Sequence, residues 1–219
     1  NKNNFKKIAL VNVDVVSQLV GQRDRNSRPI IGDAGSITII ESDKTGQPIN
    51  GNIKVDGSGW DALMVPAGGM KIRSSHETSI VSEDANGNER SLDNLVMKGD
   101  AVFNFVMQSV PDMINNLMNE SKHQISDVDN FLFHQPNPFM LKKLANKLKI
   151  PLEKMPTNLV QKYGNSSGVS IPAVICSEFD LSYFKKNRLI CMAGFGVGLT
   201  WGSLLMRMYD LTFLEVLEV

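Results

Sequence analysis

The sequence predicts an α/β protein built on a mixed sheet, and three observations carry that prediction. From residue 100 onward apolar residues fall now at helical and now at strand spacing, so helices and strands succeed one another. Ahead of that half lie two β-branched runs, at 8–13 and 35–42. Clusters of glycine, proline, asparagine and aspartate separate the runs and break regular structure between them.

Taken in order, residues 8–13 predict an interior strand, because the run is almost wholly apolar. Residues 21–33 are a polar loop, residues 35–42 a second strand, and 43–51 a hairpin-like turn leading into a third strand at 52–59. Residues 60–99 have no clear period, and 82–94 read as a solvated surface loop. Val102, Phe103, Val106, Val110, Met113, Ile114 and Leu117 then trace a helical stripe, with Asp100 as its N-cap and Pro111 predicting a kink or break. Residues 129–133 form a short strand that ends at His134. Leu141, Leu144, Ala145 and Leu148 mark another helix, stopped by Pro151. The stretch YGNSSGVSIP, 163–172, opens a further helix, with serines for capping and Pro172 near its first turn. Residues 188–208 read as strand, glycine-rich bend, strand. No internal repeat is present.

Composition narrows the function classes. The 219 residues carry 23 Lys+Arg against 23 Asp+Glu, so no global field favours nucleic acid or an acidic membrane surface. Two cysteines are too few for a disulfide framework or a zinc site and fit a reducing compartment. The first residues, NKNNFKK, hold no apolar core of a signal peptide, and the apolar runs are too interrupted to span a bilayer. These features predict a soluble, cytoplasmic protein without metal. A core-type strand so near the first residue also predicts that the chain is part of something longer.

Four short motifs carry chemistry, and each alone has a plain structural reading. GFGVGLTWGS, 194–203, lacks the third glycine of a dinucleotide fingerprint, and strand rather than helix follows it, so it reads as a tight bend where a ligand could approach the backbone. Asn165 sits in a glycine-flanked turn ahead of a helix, as either a cap or a donor toward developing negative charge. His134, at a strand end, has no second ligand at metal spacing, and no Gly-x-Ser-x-Gly elbow occurs. Cys176 and Cys191 lie inside an apolar helix and strand and read as core residues, not nucleophiles. Lys142, Lys143, Lys147 and Lys149 read as a solvated helix face.

In series, MKGDAVFNF, FHQPN, YGNSSGVSIP and GFGVGLTWGS resemble the second half of the β-ketoacyl-ACP synthase III family of the thiolase superfamily, and residues 8–18 and 31–39 resemble the strands that precede it. The resemblance covers nearly all of the chain except roughly 43–94. It implies a thiolase-like fold in αβαβα layers, with residues 1–90 as the end of the N-terminal half and connecting region, and 91–219 as the C-terminal domain. It further implies a decarboxylative Claisen condensation, with acyl-CoA and malonyl-ACP as substrates, no cofactor, an acyl carrier protein as partner, and a homodimer when full length. His134 and Asn165 match the catalytic pair that donates to the malonyl thioester oxygen, and Val197 the backbone amide of a second oxyanion site. Met97, Gly99, Phe103 and Asn137 match substrate-binding positions. The acyl-carrying cysteine of the family belongs to a half upstream of Asn1, so the chain alone is expected to be inactive.

The chain also departs from the family pattern. Gly196-Val197-Gly198 replaces three glycines, Phe139 stands where an arginine often faces the carrier, and Asn104 where a lysine does. Lys142, Lys143 and Lys147 could substitute. Two other readings therefore stand beside condensation: acyl transfer to oxygen or nitrogen acceptors, and a non-catalytic partner subunit or scaffold.

Overall fold

A computed structural model describes residues 6–43 and 46–218. Most of the N-terminal stretch read for a signal peptide, and two residues of the expected 43–51 turn, lie outside the described residues. The strands are β1 (Lys7–Asp14), β2 (Ala34–Glu41), β3 (Asn50–Val55), β4 (Leu63–Met64), β5 (Ser82–Glu83), β6 (Glu89–Arg90), β7 (Val96–Met97), β8 (Asn130–Phe133), β9 (Arg188–Gly196) and β10 (Thr200–Met208). The α-helices are α1 (Gly99–Ser121), α2 (Pro138–Leu148), α3 (Leu159–Tyr163) and α4 (Ser170–Glu178).

The principal sheet is mixed, as expected, in the order β3-β10-β9-β8, with β8 parallel to β9 and the other pairs antiparallel. Both faces are covered, which is why β8 is buried at every position. Its side chains alternate between two cores. Phe131 and Phe133 join Cys191, Ala193 and Phe195 under α1 and α2, whereas Leu132 and Ile190 face Leu159, Val174 and Phe184 on the side of α3 and α4. The expected hairpin at 43–51 does not form, since β3 pairs with β10 rather than with β2. The sheet thus takes an edge strand from upstream of residue 90.

Helix α1 runs continuously through Pro111, so the expected break does not occur. Proline at 111 frees the carbonyl of Met107, four residues earlier. Lys147 of α2 fills that vacancy, its Nζ donating to Met107 O at 2.8 Å. Burial of Val106, Val110, Met113, Ile114 and Leu117 then outweighs the lost helical bond. The N-cap is Lys98, not Asp100, which lies in the first turn and there faces the positive end of the helix. Helix α2 follows its predicted stripe and is capped by Asn137, whose Oδ1 accepts from Met140 N at 2.8 Å.

Strand β1 is a strand but not an interior one. It pairs with β2 alone, and Ile8, Leu10, Val11 and Val13 are exposed, as are Ile37, Ile39 and Ile40 on β2. Its apolar sequence is that of a covered strand, yet these apolar side chains stay exposed, and the contact it makes beyond β2 is at its Asn12–Asp14 end, with the turn at Gly168. The region 82–94 is also better ordered than its polarity predicts. It folds as the β5–β6 hairpin and is clamped to the 21–33 loop by Arg90, which binds both oxygens of Asp24, at 2.8 and 3.0 Å. Asp24 is 1% exposed. Burial alone would raise its carboxyl, but hydrogen bonds from Arg90, Ser27 and the Asn26 N–H together hold it below the usual range.

Candidate active site

His134 follows the last residue of β8, and its backbone N–H donates to Ala193 O of β9 at 2.8 Å. The parallel pairing of β8 with β9 therefore aims the ring at the same end of the sheet as the glycine-rich bend. Phe195 packs edge-on against the ring at 5.4 Å between centroids. On its other flank Nδ1 lies 2.8 Å from Ser170 Oγ, at the start of α4. In this dense surrounding, burial pushes the imidazole pKa down to about 4, against a weaker opposing hydrogen bond that the Ser167 backbone offers the charged ring. The ring is neutral at physiological pH, and Nε2 has no partner among the described residues.

Asn165 reaches the same place by a different route. Its backbone is bracketed by the end of the 21–33 loop, with Asn165 N donating to Ile30 O at 2.6 Å and Gly32 N to Asn165 O at 3.1 Å. Gly32 and Gly164 lie back to back there. A Cβ on Gly32 would sit 1.9 Å from the Tyr163 carbonyl, and Gly164 has φ +75°, so neither position tolerates a side chain. The Asn165 side chain is oriented by its own turn, with Oδ1 accepting from Ser167 N at 3.0 Å. That fixes Nδ2 as the free end of the amide. The next turn is held from β1: Asn12 Nδ2 donates to Gly168 O at 2.7 Å and Gly168 N to Asp14 Oδ2 at 2.9 Å.

His134, Asn165 and Val197 line one cavity of about 260 Å³, together with Ser170, Phe195 and Leu63 among others. Val197 sits in the bend between β9 and β10 with its side chain 61% exposed, and its N–H has no partner among the described residues. The cavity thus gathers three unengaged N–H donors: the Val197 backbone amide, Asn165 Nδ2, and Nε2 of His134 in the tautomer that carries its proton there. Donors of this kind, held in place and partly desolvated, stabilise an oxygen that gains negative charge.

The other four residues predicted for the site do not line this cavity. Met97 pairs with Leu63, which does, so it stands one strand behind. Gly99 begins α1 and is exposed. Phe103 stacks on Phe139 at 5.9 Å, and Asn137 is occupied as the α2 cap. Phe139 is 61% exposed and has Lys143 Nζ 5.4 Å from its ring centre. Ser170, Leu63 and Ile31 are part of the cavity, and sequence reasoning missed them. Ser170 had a local signal, its place five residues after Asn165 in a serine-rich helix start. Leu63 and Ile31 arrive through non-local pairings that no local pattern marks. Neither cysteine is at the cavity, and burial raises the Cys191 thiol to about 12, far from a thiolate at neutral pH.

The neutral imidazole has a consequence for stability. Its folded pKa of about 4 lies below the ordinary value of 6.5. Above pH 6.5 both folded and unfolded chains are neutral at this residue. Between pH 6.5 and about 4 the unfolded chain takes up a proton that the folded chain refuses, so stability falls with acidification across that window and levels off below it. The full shift corresponds to about 3 kcal/mol. Urea unfolding of the wild type and of His134→Gln at pH 7 and pH 4 checks this: the wild type is expected to lose about 3 kcal/mol more than the variant.

Residues 118–208 match the family model of the 3-oxoacyl-[acyl-carrier-protein (ACP)] synthase III C terminal. The chain is 30% identical over 204 residues to the β-ketoacyl-[acyl-carrier-protein] synthase III of Prochlorococcus marinus strain MIT 9301, an alignment that takes in 93% of this chain and 58% of that protein. Among solved structures, a 3-oxoacyl-(acyl-carrier-protein) synthase III superposes with TM-score 0.87 at 28% identity, covering 93% of this chain and 60% of the other. The 3-oxoacyl-(acyl-carrier protein) synthase of Burkholderia xenovorans LB400 superposes with TM-score 0.85 at 32% identity, covering 96% and 58%. The chain therefore has the thiolase-like fold, over somewhat more than half the length of these relatives. Over residues 118–208 it matches the C-terminal part of the 3-oxoacyl-[acyl-carrier-protein] synthase III family, and it is similar to synthases of that name along nearly its whole length.

Proposed function

We propose that the chain is the C-terminal part of a condensing enzyme that joins an acyl thioester to malonyl-ACP with loss of carbon dioxide. The observation that carries this reading is the convergence of His134, Asn165 and the Val197 amide on one cavity. Loss of carbon dioxide from a malonyl thioester leaves an enolate, whose charge gathers on the thioester oxygen. His134 Nε2–H and Asn165 Nδ2–H donate to that oxygen, and neutrality of the imidazole suits a donor that must not surrender its proton. The Val197 amide would serve the oxyanion formed during acyl transfer. The acyl-bearing nucleophile is assigned to the part of the relatives with which this chain does not align, since Cys176 and Cys191 both stand away from the cavity. Acyl-CoA, an acyl carrier protein, a cytoplasmic setting and a homodimer of the full-length protein follow from the same reading.

Phe139, exposed and apolar where a carrier-facing arginine is common in the family, gives a second reading its footing: acyl transfer to an alcohol or amine on the same fold. One experiment separates the two. The full-length polypeptide, loaded with acetyl-CoA, is offered malonyl-ACP, malonyl-CoA, and simple amines and alcohols. Release of carbon dioxide with formation of a β-ketoacyl product is expected. Transfer to the amine or alcohol without carbon dioxide would replace the condensing reading by the second.

A further inference from the structure

We propose that Asn12 and Asp14 of β1 are positioning residues: together they clamp the Gly168 backbone and thereby hold the turn whose N–H aims the Asn165 side chain into the cavity. The catalytic consequence rests on the enolate reading above; the clamp itself does not.

The alternation of β1 puts Asn12 and Asp14 on one face, both half-buried, while Val11 and Val13 point the other way and are exposed. Their cross-strand partners on β2, Ser36 and Ala34, are small. From that face the two side chains take both polar groups of a single residue. Asn12 Nδ2 donates to Gly168 O at 2.7 Å, and Gly168 N donates to Asp14 Oδ2 at 2.9 Å. Two bonds from one rigid strand fix the orientation of Gly168 as well as its position. The grip is close, since a Cβ on Gly168 would lie 3.1 Å from both Asn12 Nδ2 and Asp14 Oδ2. These bonds join positions 156 and 154 residues apart, so no local pattern marks them.

What the clamp holds is the neighbouring residue. Ser167 has φ +50°, a left-handed conformation that a side chain disfavours and that persists only where the surroundings impose it. On the helix side its carbonyl accepts from the Ser170 backbone N–H. On the strand side its neighbour Gly168 is pinned by β1. In that conformation Ser167 N donates to Asn165 Oδ1 at 3.0 Å, which leaves Nδ2 as the free end of the amide. Ser167, Gly168 and Asn165 line the cavity, but Asn12 and Asp14 do not. The pair thus acts through Asn165 rather than on the substrate.

The full-length polypeptide tests this with two readouts. Amide hydrogen exchange reads the clamp without catalysis. In Asp14→Ala the Ser167 N–H, whose acceptor is Asn165 and not Asp14, is expected to exchange several-fold faster. Asp14→Asn keeps an oxygen for Gly168 N–H and is expected to retain wild-type protection and rate. In turnover, Asp14→Ala and Asn12→Ala are each expected to lower kcat for malonyl-thioester decarboxylation by about 10-fold with little change in KM, within the loss of about 10²-fold that a small misplacement can bring. In an Asn165→Ala background, Asp14→Ala is expected to have no further effect, because the group it positions is gone. Unaltered exchange at Ser167 in Asp14→Ala, an Asp14→Asn variant as impaired as Asp14→Ala, or the same rate loss with and without Asn165 overturns the proposal. Faster exchange at Ser167 with an unchanged decarboxylation rate would uphold the clamp and overturn the enolate role of Asn165 instead.

Discussion

In the full-length polypeptide, His134→Ala is expected to slow decarboxylation of a malonyl thioester by about 10²–10³-fold, the usual effect of losing one preorganised oxyanion donor. The loss falls on the chemical step, because the Nε2–H bond strengthens only as charge gathers on the thioester oxygen. kcat is therefore expected to drop with little change in KM. Asn165→Ala is expected to act in the same direction, since its Nδ2 is the free end of an amide whose Oδ1 is already bound by Ser167 N–H at 3.0 Å. On the proposed reading both donors serve one oxygen, so the double variant is expected to fall short of the product of the single effects. Decarboxylation is the suitable readout, as it isolates the enolate step from acyl loading. A rate near wild type in His134→Ala, with an unchanged melting profile, would remove the residue from the chemistry.

The second large effect is expected far from the cavity. Arg90→Ala leaves the Asp24 carboxylate, 1% exposed, without its bidentate partner, and breaking such a buried pair destabilises by about 3–5 kcal/mol. The consequence travels along a short chain of bonds. Asp24 accepts from the Ser27 hydroxyl, the Ser27 carbonyl holds the N–H groups of Ile30 and Ile31 at 3.1 and 3.2 Å, and Ile30 O and Gly32 N bracket the Asn165 backbone. Urea unfolding measures the stability loss, and faster amide exchange at Asn165 in the variant would show the loosened turn. Arg90→Lys keeps the charge but not the two-toothed geometry and is expected to recover only part of the loss. A variant as stable as wild type would mean that Asp24 finds another partner on rearrangement.

How far the site could be read in advance depended on whether its parts are local. The strand at 130–133 and the α2 stripe are encoded by neighbours within a few residues, and both form as expected. His134 and Asn165 stood out through motif order, and they do share a cavity. What escaped was set by distant partners. Pro111 predicts a broken helix until Lys147, 36 positions along, takes the Met107 carbonyl it frees; the contact at 2.8 Å spans two helices. The 82–94 stretch reads as solvated until Arg90 meets Asp24, 66 residues away. The strand at β1 reads as buried because its residues are apolar, yet burial needs a covering layer, and these side chains stay exposed.

The central claim is that His134 and Asn165 together hold the thioester oxygen of a malonyl group. The most direct measurement is a crystal structure of the full-length polypeptide with a malonyl-thioester analogue that cannot lose carbon dioxide. The account predicts the thioester oxygen within about 2.7–3.1 Å of both His134 Nε2 and Asn165 Nδ2. An analogue bound with that oxygen turned away from both, or met by only one of them, would contradict it.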